Sequence, residues 1–72
     1  MQAPETIEEA SARVQWLIES GLREGSLTFA LKDYPMTYEL ARVKKHYRAR
    51  GYLLFVTFDE WRQRWTFAWS VL

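Results

Sequence analysis

The spacing of apolar residues changes along this chain, and each change marks an element. From Ile7 the period is helical: Ile7, Ala10, Val14, Leu17, Ile18 and Leu22 fall within an arc of ~140° at ~100° per residue, the stripe of a helix packed on a sheet. Thr6 and Glu9 form a capping-box pattern at its start, and Gly21 supplies a left-handed cap at its end. The period then drops to two. Leu27, Phe29 and Leu31 alternate with Ser26, Thr28 and Ala30, which predicts a short strand after a break at Gly25. Lys32-Asp33-Tyr34-Pro35 reads as a turn, because Pro35 pushes Tyr34 out of the helical region and can itself open a helix.

The second helix is predicted from there to Gly51. Met36, Leu40, Val43 and Tyr47 form its narrow apolar stripe, with Tyr38, Ala41, Arg42, Lys45, Arg48 and Ala49 opposite. Tyr52 to Phe58 is then apolar at every position but Thr57, the mark of a central strand covered on both sides. In the last segment Trp65, Phe67, Trp69 and Val71 share one face, and Thr66, Ala68 and Ser70 the other. Asp59-Glu60-Trp61-Arg62-Gln63 makes the turn of this hairpin.

A one-residue slip exchanges the faces of a strand, and two registers stay open. With Phe58 opposite Gln63, Tyr52, Leu54 and Val56 join the tryptophan face, leaving Leu53, Phe55 and Ala68 on the second side. With Phe58 opposite Arg64, Leu53 and Phe55 join it, and Tyr52, Leu54, Val56 and Phe58 form the second side. Either way the second side keeps apolar residues. The elements together predict one α+β domain over residues 1–72, with a flexible N-terminus at 1–5. Its order is α-β-α-β-β, with a three-stranded mixed sheet, a C-terminal hairpin and two packed helices. A crossover through the second helix would set the first two strands parallel, and the last strand would offer a free edge.

Composition narrows the function. A chain of 72 residues buries only ~60% of its unfolded surface, so small domains lean on disulfides, metals or oligomers. There is no cysteine and His46 is the one histidine, so no metal or other cofactor is expected, and a core rich in aromatics, helped by self-association, is what remains. QAPET carries no signal-peptide pattern, and the apolar run Gly51–Phe58 is far short of the ~20 residues of a membrane span. The expected location is the cytoplasm, with no membrane partner.

Catalysis is not expected, nor is a small-molecule substrate. His46 sits beside lysine and arginine as a solvated side chain, Asp59 and Glu60 are adjacent in a turn, and no phosphate-binding loop or HExxH is present. Arg50-Gly51-Tyr52-Leu53-Leu54-Phe55-Val56-Thr57-Phe58 is similar to the RNP1 strand of RNA-recognition motifs, but one extra residue puts its aromatics out of phase. The likeness is read as one of strand composition.

Two surfaces remain. The favoured reading is a small protein-interaction module, an adaptor or inhibitor of the size common among accessory proteins of mobile genetic elements. It would form a homodimer through an apolar sheet face and use Trp16, Leu53, Phe55 and Trp61 as partner contacts. Trp16 earns its place by lying ~180° from Ile7 on the helix wheel. The opposing arrangement, with one helix over each face of the sheet, would leave nothing over. The second surface is basic: residues 1–36 carry a net −3 and residues 37–72 a net +4. Arg42, Lys44, Lys45 and Arg48 on the second helix, with Arg62 and Arg64 in the hairpin, are the alternative nucleic-acid contacts.

Overall fold

The computed structural model describes residues 4–32 and 34–72. Residues 1–3 of the expected flexible N-terminus and Asp33 of the expected turn lie outside the described residues. The elements are α1 (Ile7–Glu19), β1 (Gly25–Phe29), α2 (Thr37–Ala49), β2 (Tyr52–Asp59) and β3 (Arg64–Val71). Their order is the expected one.

The sheet has the spatial order β1-β3-β2 and is antiparallel throughout, which corrects the expectation of a mixed sheet. β1 and β2 do run the same way, joined by a crossover through α2, but β3 lies between them. The physical reason is the inner face of β3: Trp65, Phe67 and Trp69 are all buried, and only the middle of the sheet gives each of them neighbours on both sides. β2 therefore lies at an edge with one face open, not at the centre covered twice. The other free edge belongs to β1, and the last strand has none.

Phe58 stands opposite Trp65, and the ladder continues through Asp59 opposite Arg64. This is two residues away from the first expected register and keeps its parity, so Tyr52, Leu54, Val56 and Phe58 share the tryptophan face. The alternative grouping of Leu53 and Phe55 with the tryptophans does not form. Glu60–Gln63 closes the hairpin. Asp59 Oδ1 accepts from the N–H groups of Trp61 at 3.0 Å and Arg62 at 3.3 Å, and Gln63 takes a left-handed φ of 53° to bring the chain back.

Each helix is framed by its ends. Thr6 Oγ1 accepts from the Glu9 N–H at 3.2 Å, while the Glu9 carboxylate accepts from the Glu5 N–H, one residue earlier than in the standard box. After α1, Gly21 at φ 104° lets the Leu22 N–H reach the Leu17 carbonyl and its own N–H reach Ile18, a Schellman ending. Leu22 is consequently the residue beyond the cap, largely exposed rather than part of the buried stripe. Met36 is likewise the exposed N-cap residue of α2, its N–H donating to the Glu39 carboxylate.

Both helices lie on the same side of the sheet. Ile7, Ala10 and Val14 of α1 and Tyr47 of α2 are buried in one cluster with Phe29, Leu54, Trp65, Phe67 and Trp69. Tyr47 joins the two helices directly: its hydroxyl donates to the Ser11 carbonyl at 2.6 Å and lies 3.0 Å from the Ser11 hydroxyl. Burial pushes the Tyr47 phenol pKa up, with the Ser11 hydrogen bond and nearby Arg50 opposing the shift. Trp69 Nε1–H donates to the Leu22 carbonyl at 3.0 Å, and its ring lies over Gly25, its partner across the ladder. A Cβ at Gly25 would stand 3.0 Å from that ring, a contact that the ring, held by its hydrogen bond to Leu22, would have to yield to.

Candidate protein-binding surfaces

With both helices on one face, the other face of the sheet is open. The ladder pairs set its side chains in rows: Thr28, Thr66 and Thr57 across the three strands, then Ser26, Ala68 and Phe55, then Ser70 and Leu53. Thr28 and Thr66 hydroxyls lie 3.1 Å apart and bond to one another. Phe55 is 57% exposed, while Leu53 and Ala68 are half-buried around it. The face is thus an apolar spot at the β2 side within a field of hydroxyls. Two strands of eight residues and one of five, ~4.8 Å apart with ~3.4 Å per residue, give a plane of roughly 340 Å². That is less than half of the ~800 Å² each partner contributes to a standard stable interface.

The four expected partner contacts fall in three places. Leu53 and Phe55 are together on the open face. Trp61 is at the hairpin tip, 97% exposed, about 13 Å beyond Phe55 along the strand direction. Trp16 is exposed on α1, whose buried side faces the other side of the sheet, so it cannot share a flat contact with Phe55.

The basic residues divide as well. Lys44, Lys45 and Arg48, with Ala41, line one wall of a groove of about 410 Å³, and Tyr52, Leu53 and Leu54 of β2 form the other. Arg42 is outside that groove, its guanidinium 5.9 Å from the Tyr38 ring centre. Arg62 and Arg64 belong to the hairpin end, where Arg64 donates to the carbonyls of Arg62 and Gln63. Arg42 stands one turn from Lys45 on α2, beside the groove, whereas Arg62 and Arg64 lie at the far end of β2 from it. The RNP1-like segment is split in the same sense: Tyr52 and Phe58 point to the core and Phe55 to the open face, so no pair of its aromatics shares the open side.

Comparison with known proteins finds no family model, no curated protein and no solved structure that matches this chain. The geometry alone must carry the functional reading. Among the described residues no group of three or more His, Asp or Glu side chains is placed to hold a metal ion, and no helix is long and apolar enough to cross a membrane.

Two features were not visible as contacts in the sequence. Tyr34 stacks edge-on with Phe58 and Trp65, at ring distances of 5.3 and 4.9 Å, capping the core at the hairpin end although its own ring is largely exposed. Ala41 and Tyr52 join the basic groove; the small size of Ala41, on the same flank of α2 as Lys44 and Arg48, is the signal that could have suggested a recess there.

Proposed function

We propose that this protein is a non-enzymatic interaction module of the cytoplasm that pairs with a second copy of itself through its open sheet face. The observation that supports this is the placement of both helices on one side, which leaves Phe55 exposed on the open face at the β2 side of the sheet, with Leu53 and Ala68 beside it. A bare sheet face that carries an exposed aromatic gains by being covered. Face-to-face packing of two sheets ~10 Å apart is the arrangement in which Phe55 of each copy meets the threonine and alanine positions of the other. The modest area sets the scale: association is concentration-dependent, and recruitment of Trp61 at the hairpin tip would extend it. In this role the module serves as an adaptor or inhibitor whose active form is the pair.

The test is the mass in solution of the wild-type protein and of Phe55→Asp and Leu53→Asp. Both variants are expected to be monomeric with unchanged far-UV circular dichroism. Association that survives both substitutions would refute the reading.

A further inference from the structure

The outward edge of β2 is unusual for a strand with no neighbour. It is eight residues long, its ladder with β3 is unbroken by any bulge, and it contains no proline or lysine and no charge before Asp59. Natural edge strands are commonly blunted by those devices, because the unpaired N–H and C=O groups of a bare edge recruit another strand. Here the edge is open along the groove between β2 and α2.

The flank of α2 above that edge decides what would fit. Thr37, Ala41, Lys44, Lys45 and Arg48 lie on it at helical spacing, so it offers two small side chains and three cations with no acid. Lys44, Lys45 and Arg48 form no ion pair among the described residues. Pairing two β2 edges antiparallel would set two α2 helices side by side, each bringing Arg42, Lys44, Lys45 and Arg48 against Glu39 alone. Like-charge repulsion disfavours that arrangement. An acidic strand meets no such obstacle.

We infer that the β2 edge is a docking site for an extended acidic segment of another protein, which adds to the sheet as a fourth strand beside β2. Side chains of an added strand alternate between the two faces. Those on the helix side meet Lys44, Lys45 and Arg48, and suit Asp or Glu. Those on the other side lie beside Leu53 and Phe55, and suit β-branched apolar residues. The recognised pattern is acidic and apolar residues in strict alternation over about five to seven positions, with main-chain hydrogen bonds giving affinity and the two kinds of side chain giving register. This site lies along the strand edge and the self-pairing face across the sheet, and Leu53 and Phe55 border both.

The experiment uses the full chain and four probes by calorimetry and backbone-amide NMR. They are a capped heptapeptide alternating Glu and Val, a peptide of the same composition with its acids in one block, an alternating Lys and Val peptide, and a short single-stranded oligonucleotide. The alternating acidic peptide is expected to bind, with amide shifts along β2 and the Ala41–Arg48 flank. The triple variant Lys44→Glu, Lys45→Glu, Arg48→Glu is expected to bind it at least about tenfold more weakly and to accept the Lys and Val peptide instead. Equal binding of the block peptide would overturn strand addition, and absence of binding at millimolar peptide would overturn the site. Tighter binding of the oligonucleotide through the same cations would replace the acidic segment with nucleic acid. A dimer that persists in Phe55→Asp and is lost when the β2 edge is blocked would mean that the edge serves a second copy. Loss of dimer in Ala68→Asp, a change on the open face of the middle strand, with peptide binding retained leaves this inference standing independently of the self-pairing face.

Discussion

The two faces of the one sheet are made by the same three strands and follow different physics. On the covered face Phe29, Leu54, Trp65, Phe67 and Trp69 are buried, and the rings of Phe29 and Phe67 meet edge-on at 5.5 Å. On the open face the same strands present Ser26, Thr28, Thr66, Ser70 and Thr57, with Phe55 as the large apolar exception. Covered positions carry stability, and each atom removed there leaves a void. Open positions contribute little to folding, and Phe55 is the large ring among them on which the proposed self-pairing rests.

Substitutions on either face can break that division, and the largest effect is expected in the centre. Phe67 is fully buried on the middle strand, so Phe67→Ala should destabilise the domain by about 3–5 kcal/mol, enough to leave a chain of this size largely unfolded in urea titrations. Gly25→Ala should come next, losing about 1–3 kcal/mol because its Cβ meets the Trp69 ring at 3.0 Å. An unchanged midpoint for either would contradict the packing described.

Tyr47→Phe removes the hydrogen bond that ties α2 to the Ser11 carbonyl of α1, and should cost about 1 kcal/mol by denaturant unfolding. It should also change the response to alkali. The folded phenol pKa is raised by burial, so its contribution is fully present below the unfolded value of 10.0 and is lost as pH rises from there through the folded value. The wild type should lose stability over that interval more steeply than Tyr47→Phe, and parallel curves would show that the ring is less buried than described. Smallest of all, Phe55→Asp should shift the monomer's stability by no more than ~0.5 kcal/mol while altering its association, which is the sharpest contrast with Phe67, the residue next to Phe55's ladder partner Ala68 on the middle strand.

Local rules carried the helices and strands, because capping residues, glycines and apolar periods act within a few positions of one another. The Thr6 cap, the Gly21 ending and the alternation through Trp65, Phe67 and Trp69 were all legible for that reason. Strand order was not. Tyr52–Phe58 has the composition of a central strand, yet β3 takes the centre, since the choice rests on which strand's inner side chains need two neighbours. Register was open for the same reason: it depends on the Asp59 carboxylate gathering the Trp61 and Arg62 amides and on the left-handed Gln63, which together draw Asp59 and Arg64 into the ladder. Leu53 and Phe55 were recognisable as a pair by spacing alone. That Trp16 and Trp61 stand apart from them required the layers to be known.

The most direct measurement of the central claim is the absolute mass of the wild type and of Phe55→Asp by light scattering across a concentration series at moderate salt. The account predicts that the wild type rises from 8.6 kDa toward twice that value while Phe55→Asp stays at the monomer mass throughout. A wild type that remains monomeric at the highest concentration, or a variant that associates as well as its parent, would contradict it.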